Sequence, residues 1–582
     1  MANEAGTRYE EYRSGRAPLP DPNWGWNTYG AGVESIGRDG NPEPIEIPPT
    51  GTDQLLVRVD SVGLCFSDVK LIKQGGDHPK LYGRDLAVEP TRLGHETAVT
   101  VIEVGDELRG KYHPGQRLAI QPDIYVDGRS TAYGYTIPGG LIQYHLLGPE
   151  VLDADAGAYV IPVADEVGYA EASLSEPWAC VEASYTQRRR LEPLAGGTMW
   201  ILGRSNDDTA YEFSAGLDAP ARIILTDVPA GVAELADRSG AEIQIRNGVG
   251  LAEYADLTEE LTDGAGFDDI VMLDPSSAAQ VESVAKQIAF RGTLNLVGNS
   301  PLDGLPDIDV GRIHYHYTAY LGNQGPDIAA SYGEVRNRAD LQPGGTAVYI
   351  GAGGPMGQMH IQRALELDAG PDTLIASDLD DQRLAVVADR LVPLAEKLGK
   401  ELIVFNAATS DRSIEDLVAE VTNGAGADDV IVSVPVGPVM GDAARLLGPK
   451  GMLVLFAGVA NGTMAPLNIT NVYLHNAQFT GTSGSAISDQ ALVLDKAVKG
   501  TLSPRRSLAA VGGIEAARDG VQAMLDGTFA GKIVLFPQLS GLPLLGLEEL
   551  AEQYPKIGAL MEEGNIWSGE AERAMIEEFW GA

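Results

Sequence analysis

The chain has 582 residues, with 42 Lys and Arg against 82 Asp and Glu for a net charge of −40, a length that requires several hydrophobic cores rather than one. Apolar residues make up 44%, which excludes long-range disorder. The acidic excess excludes a general nucleic-acid binder and sets the chain against an anionic membrane surface.

Two cysteines, Cys65 and Cys180, cannot supply a disulfide framework for a chain of this size. The first 20 residues lack the apolar stretch of a secretory signal. No apolar run reaches membrane-spanning length. The expectation is a soluble, cytoplasmic protein.

Residues 1–50 are rich in Pro, Gly and Trp without a period and read as an irregular arm. From Gln54 to about Pro162 short β-type runs follow, LLVRVDSVGL, ETAVTVIEVG, QRLAIQP, GLIQYHLL and AYVIPV, punctuated by Gly and Pro as in a small barrel or sandwich. After Ser175 the stretch EPWACVEASYTQRRR reads as a helix. Beyond it, buried apolar strands alternate with amphipathic helices, the pattern of a parallel α/β sheet. The stretch 509–537 reads as a helix and then a strand, and the last 45 residues as a helical tail anchored by Trp567.

The α/β part repeats itself. GGTMWILG (196–203) matches GGTAVYIG (344–351), Ile224–Asp227 matches Ile375–Asp378, and LTDGAGFDDIVML (261–273) matches VTNGAGADDVIVS (421–433). RGTLNLVG (291–298) matches KGMLVLFA (450–457), and IHYHYTAYLGNQG (313–325) aligns with VYLHNAQFTGTSG (472–484). Five ordered matches make the two stretches tandem copies of one domain. The expected division is 1–189, a β-rich domain with its arm; 190–337, the first copy; 338–500, the second; 501–540, a segment returning to the first domain; and 541–582, the tail.

In the second copy the strand TAVYI runs into GAGGPMG and then a helix. Gly351, Gly353 and Gly357 permit the tight turn, the close approach of backbone to a pyrophosphate and the helix–strand packing of a dinucleotide loop. The next strand ends at Asp378, where a carboxylate binds a ribose 2′-hydroxyl and repels the 2′-phosphate of NADP, so NAD is the expected cofactor. Gly354, Met356 and Arg383 complete the candidate cofactor-binding set. The first copy has GRSNDDT (203–209) instead, with side chains where phosphate approach needs glycine. Asp227 survives there as a structural residue, and this copy is expected to bind no dinucleotide.

The β-rich region holds Cys65 in GLCFSDVK and His95-Glu96 in LGHE, and Glu176 follows in SEPWAC. A thiolate, an imidazole and carboxylates make a catalytic zinc set with a position left open. These motifs, with GGLIQY, the glycine loop and the closing GTFAGKIVLFP, resemble the zinc-dependent medium-chain dehydrogenase/reductases, which pair a GroES-like catalytic domain with a Rossmann domain. AYGYTIPGGLIQY and the Glu-Pro at Glu176 point to the branch of the sorbitol dehydrogenases and L-sorbose-1-phosphate reductases.

The resemblance covers about residues 50–190 and 338–540. It implies α/β plus β architecture: a GroES-like domain and two tandem doubly wound parallel sheets. It also implies one zinc per chain held by Cys65, His95 and Glu96, with Glu176 a fourth ligand or close neighbour, and a proton relay through Ser67. Lys70 stands where many relatives place the histidine that ends that relay. The four-cysteine structural zinc lobe is absent, and the copy at 190–337 has no counterpart in two-domain relatives.

The implied function is NAD-dependent oxidation of a secondary alcohol of a polyol or sugar. Two other readings stand beside it: an NADP-linked sugar-phosphate reductase, with Lys80, Arg84 and Arg92 receiving the phosphate, and a dinucleotide sensor without catalysis. Expected partners are small molecules, neither nucleic acid nor membrane. In the family, Rossmann domains commonly pair across a dimer through edge strands. Here TAYLGNQG (318–325) and QFTGTSGS (478–485) put both edges in one chain, so an internal pseudo-dimer is expected, with further homo-oligomerisation open.

Overall fold

The computed structural model describes residues 8–562 and 565–581. The start of the expected arm, residues 1–7, lies outside them. The chain divides into two compact units, residues 1–182 with 484–582, and residues 183–483.

In the first unit the arm is not wholly irregular, since α1 (Arg8–Ser14) opens it. The strands β1 (Leu55–Gly63), β2 (Glu96–Val104), β3 (Arg117–Ile120), β4 (Tyr144–Leu147) and β5 (Val160–Pro162) flank two helices, α2 (Phe66–Gln74) and α3 (Tyr169–Ala183). β1 is buried along its whole length, as a central strand between two covered faces must be.

Helix α3 begins seven residues before the expected start at Glu176 and ends at Ala183, so TQRRR is not helical. The reason lies far away in the sequence. The buried Glu572 carboxylate accepts the N–H groups of Tyr169 at 2.6 Å and Ala170 at 2.8 Å, supplying the α3 N-terminus with the cap its own sequence lacks.

The second unit contains both copies. In the first, β6 (Thr198–Leu202), β7 (Arg222–Thr226), β8 (Glu242–Ile245), β9 (Phe267–Leu273), β10 (Ile288–Val297), β11 (Asp307–Asp309), α4 (Val310–Tyr315) and β12 (Ala319–Asn323) occur in that order. The second has β13 (Thr346–Ile350), α5 (Pro355–Glu366), β14 (Thr373–Asp378), β15 (Glu401–Asn406), β16 (Ala427–Val432), β17 (Leu447–Leu455), β18 (Met464–Pro466), α6 (Thr470–His475) and β19 (Gln478–Gly481). Each forms a six-stranded sheet, ordered β8-β7-β6-β9-β10-β12 and β15-β14-β13-β16-β17-β19, and all the pairings described are parallel. The order reverses beside β6 and beside β13, the signature of a doubly wound sheet.

The copies agree down to single side chains. Arg190 and Arg338 each reach a buried aspartate, Asp269 and Asp429, at 2.6 Å. The other oxygens of those aspartates accept the N–H groups of Leu194 and Gln342, both at 2.8 Å. The repeated Gly-Ala-Gly turn has a steric cause: Gly266 and Gly426 have φ of +90° and +81°, and a Cβ there would meet Ala289 N at 2.8 Å and Gly448 N at 2.6 Å. Only glycine fits.

The copies differ where the dinucleotide loop belongs. A helix, α5, follows β13, but among the described residues no helix stands between β6 and β7. The loop instead closes on itself, with Arg204 paired to Asp274 and Asp207 bonded to Thr209 N at 2.9 Å and Tyr211 Oη at 2.7 Å.

The contact between the copies is reciprocal. β11 pairs with β18 antiparallel. Helix α4 packs on β19 and α6 on β12, an approach that glycine allows: a Cβ on Gly481 would stand 3.0 Å from His314 Cα, and one on Gly322 2.6 Å from Tyr473 Cβ. The edge strands β12 and β19 come into contact, but no hydrogen-bonded ladder joins them among the described residues. One core runs through both copies, with Trp200, Phe267 and Tyr320 from the first and Val348, Leu453, Tyr473 and Phe479 from the second.

After α7 (Ile487–Lys499) the chain completes the first unit with β20 (Leu508–Gly513), β21 (Lys532–Phe536), β22 (Leu545–Gly546) and α8 (Gly569–Phe579). The eight-stranded sheet runs β22-β20-β21-β1-β2-β3-β5, with β4 added on β1. Trp567 is buried in the tail and its indole N–H reaches Glu572 at 3.4 Å. No described helix is long and apolar enough to cross a membrane.

His360 on α5 is fully buried against Tyr185, and burial, with Arg363 beside it, lowers its pKa to about 3. The folded state therefore takes up fewer protons here than the unfolded chain. This contribution is present above pH 6.5 and is lost as pH falls toward 3, at about 1.4 kcal/mol per pH unit. Denaturant titrations between pH 7 and 5 should show a shallower acid loss in His360→Gln than in the unaltered chain; equal slopes would contradict this.

Candidate metal centre and dinucleotide loop

Cys65 ends β1's connection to α2 and stands as the helix N-cap. His95 precedes β2, and Glu96 is its first residue. Antiparallel pairing sets Gly63 opposite Glu96, and a Cβ on Gly63 would fall 2.0 Å from Glu96 Oε2. The missing side chain is what gives that carboxylate its room. Among the described residues, Cys65, His95 and Glu96 place one ligand atom each within 4.8 Å of one another.

Each donor is held from behind. Asp68, on the first turn of α2, lies 3.1 Å from His95 Nδ1 through Oδ1 and accepts Cys65 N–H through Oδ2 at 2.9 Å. That orients the imidazole so that Nε2 is available to a metal. Lys532 of β21 donates to Glu96 Oε1 at 2.5 Å and to Leu64 O at 2.8 Å, while the buried Oε2 has no partner. An orphaned carboxylate oxygen beside a thiol and an imidazole is the donor set a zinc ion satisfies.

The electrostatics agree. Burial opposes protonation of His95, yet the Asp68 carboxylate and the Cys65 sulfur hold its pKa well above the usual value. Burial, opposed by His95 and reinforced by Glu96 and Asp123, pushes Glu176 up to about 7. Such a pocket favours a cation.

Glu176 is buried on α3 but stands outside the 4.8 Å group. One turn on, Cys180 Sγ is 3.8 Å from its Oε1. Ser67 Oγ lies 3.2 Å from His95 Nε2 and also pairs with the buried Tyr135. Lys70 is exposed on α2. Of the three cations considered for a phosphate, Lys80 pairs with Asp123 at 2.9 Å. Arg84 donates to Thr136 O at 3.1 Å and Arg92 to Gly139 O at 3.3 Å.

In the second unit, Gly351 turns with φ +81° and Gly354 caps α5, with Pro355 at its first position. A Cβ on Gly357 would meet Gly351 O at 2.3 Å, and one on Gly353 would meet Arg383 Cβ at 2.6 Å and Asp378 Oδ2 at 3.0 Å. Asp378 ends β14 and accepts the N–H of Gly353 at 2.8 Å and of Leu379 at 2.7 Å. Met356 is half-buried in the first turn of α5, and Arg383 faces Asp380 at 3.9 Å. The corresponding Asp227 instead accepts Gly248 N–H at 3.0 Å, as a turn residue.

Asp68, Lys532 and Tyr135 were missed in the sequence reading. Asp68 had a signal, since Cys-Phe-Ser-Asp has the spacing of a capping box. Lys532 had none, being 436 positions from Glu96.

A β-rich unit with this donor set and a doubly wound unit with this loop define a metal-dependent dinucleotide oxidoreductase. Residues 51–153 match the family model of the alcohol dehydrogenase GroES-like domain, and residues 355–499 that of the zinc-binding dehydrogenases. Mannitol-1-phosphate 5-dehydrogenase of Aliivibrio fischeri is 23% identical over 543 residues, 91% of this chain and 93% of that one. L-sorbose 1-phosphate reductase of Klebsiella pneumoniae is 28% identical over 308 residues, 50% and 73% of the two chains. Sorbitol dehydrogenase of Bombyx mori is 28% identical over 282 residues, 44% and 72%. The chain belongs to the zinc-dependent medium-chain dehydrogenase/reductase superfamily, in its sorbitol-dehydrogenase-like branch.

Proposed function

We propose that the chain transfers hydride between NAD(H) and a secondary alcohol or ketone of a polyol, sugar or sugar phosphate, acting in the cytoplasm. The observation that carries this is the converging Cys65, His95 and Glu96 with the unpartnered Glu96 Oε2. Zinc held there supplies Lewis-acid polarisation of the substrate oxygen, and the nicotinamide supplies the hydride acceptor or donor.

The chain's own groups do the rest. Asp68 keeps Nδ1 of His95 engaged and so orients the ring. The Ser67 hydroxyl takes the alcohol proton and hands it outward along α2, where Lys70, one turn on, meets solvent. Glu176 is a fourth ligand or a close neighbour of the three donors, its carboxyl pushed up to about 7 by burial. Gly351, Gly353, Gly354 and Gly357, with Met356 and Arg383, cradle the dinucleotide at the α5 N-terminus, and Asp378 takes the ribose hydroxyls.

The names of the relatives favour including phosphorylated polyols. The internal engagement of Lys80, Arg84 and Arg92 does not favour these three as the phosphate site. Incubating the zinc-loaded protein with free and phosphorylated polyols tests the proposal. NADH should form with at least one of them and cease after chelation; turnover that survives removal of the metal would overturn it.

Asp378 sets the NAD preference. Asp378→Ser should lower the NAD-to-NADP ratio of kcat/KM by roughly tenfold, equivalent to about 1.4 kcal/mol of lost repulsion and hydrogen bonding. An unaltered chain that prefers NADP would contradict this reading.

We further infer that residues 190–337 are a structural pseudo-partner for residues 338–500 rather than a second cofactor domain, with residues 1–189 and the returning 501–540 forming the catalytic domain and 541–582 its tail. The missing helix after β6 and the reciprocal packing of α4 and α6 support this.

A further inference from the structure

We propose that the first copy, whose own loop closes on itself, supplies Tyr315 as a contact for the polar ligand at the nicotinamide end of the second copy's groove. This rests on the second copy being the dinucleotide site. In an open parallel sheet the ligand lies outside the carboxyl ends of the strands, across the point where their order reverses. That point is between β13 and β16. The glycine turn after β13 and Asp378 at the end of β14 take the adenosine half, so the nicotinamide half falls over the ends of β16 and β17.

The segment leaving β17 floors that half. Phe456 and Ala457 both donate to Val432 O, at 3.1 and 3.0 Å, which folds the segment over the end of β16. Gly458 comes next, and α4 of the other copy arrives there. A Cβ on Gly458 would stand 2.5 Å from the Tyr315 hydroxyl and 3.0 Å from His314 Nε2. His314 is buried and fixed, its Nδ1 3.0 Å from the carbonyl oxygen of Leu455, the last residue of β17. Tyr315 stacks edge-on against it at 4.5 Å. Yet Tyr315 is 38% exposed, and its hydroxyl has no hydrogen-bond partner among the described residues.

The second copy does not mirror this. Aligning 313–325 with 472–484 sets His314 and Tyr315 opposite Tyr473 and Leu474. Tyr473 is buried, with its hydroxyl tied to Ser300 O at 2.6 Å, and Leu474 has no polar group to offer. Of these two aligned positions, Tyr315 alone offers an open hydroxyl, and it lies beside Gly458 on the segment leaving β17 of the copy whose glycine loop is intact. A tyrosine hydroxyl both donates and accepts, so it suits either the nicotinamide carboxamide or a hydroxyl of the bound polyol.

Fluorescence titration with NADH and steady-state kinetics on Tyr315→Phe and Gly458→Ala test this. The first removes the hydroxyl, and the second displaces it with a methyl group while keeping the tyrosine. Both should raise one constant roughly three- to tenfold, the loss of one hydrogen bond. A rise in the NADH Kd identifies the carboxamide as partner, and a rise in polyol KM at constant NADH Kd identifies the substrate hydroxyl. Thermal midpoints should stay level in Tyr315→Phe, because the ring remains. Both constants within about twofold of the unaltered values in both variants would overturn the role of Tyr315 alone. An unaltered chain that binds no NADH would overturn the reading of the groove and this contact with it.

Discussion

Cys65→Ala and His95→Ala should each lose zinc and at least about a thousandfold in kcat/KM, because the several kcal/mol of charge stabilisation a catalytic metal provides disappears with it. NADH binding should survive in both. The three donors lie in the first unit, at the start of β2, just before it, and at the α2 N-cap, while the glycine turn and Asp378 lie wholly in the second. Metal analysis, NADH titration and turnover on the same preparations separate the outcomes. Full activity in a zinc-free variant would sink the metal assignment, and joint loss of zinc and NADH binding would indicate that the substitution unfolds the chain.

Lys532→Met should be the most destabilising single change around the site. The lysine is 5% exposed and its partner Glu96 fully buried, at 2.5 Å. Burial works against its charge, but Glu96 and then Cys65 hold its pKa above the ordinary value. Removing one member of a buried pair leaves the other charge uncompensated, a cost of about 3–5 kcal/mol. It also frees Glu96 Oε1, so the carboxylate loses the contact that turns Oε2 toward Cys65 and His95. Denaturant unfolding of the zinc-loaded protein should register the loss together with weaker zinc retention. A midpoint shift below the equivalent of about 1 kcal/mol would show that the pair contributes little.

What could be read from the sequence was local in the chain. The glycine turn, the alternation of apolar strands and helices and the five matching segments each concern residues within one strand–turn–helix, where steric rules act over a few positions. The same holds for Cys65 and Ser67, which stand two positions apart at the start of one helix. What escaped was set by distant residues. Helix α3 starts at Tyr169 because Glu572 caps it, and no pattern near Tyr169 announces that. Lys532 aligns Glu96 only because β21 and β2 flank β1. Glu176, expected as a fourth ligand or a close neighbour of the donors, is buried on α3 and outside their 4.8 Å group. The first copy's phosphate loop was legible as altered, since GRSNDDT has no glycine after Gly203. The loss of the entire helix after β6 was not, because apolar residues such as Tyr211 and Leu217 still pack into that copy's core.

The edge strands carry a similar lesson. Both edge segments were visible in the sequence, and β12 and β19 do meet, but the ladder between the copies is formed by β11 and β18. Gly322 and Gly481 let a helix of the opposite copy ride against each edge strand. An aligned pair of glycines in two repeats does not say what fills the space above them.

The stoichiometry of NADH binding to the zinc-loaded chain tests the central claim most directly, that two copies of one domain serve a single dinucleotide site. Calorimetric titration should give one equivalent per chain, abolished by Gly357→Val, whose side chain would collide with Gly351 O, and untouched by Asp227→Ala in the first copy. Two equivalents per chain, or one that persists in Gly357→Val and disappears in Asp227→Ala, would contradict it.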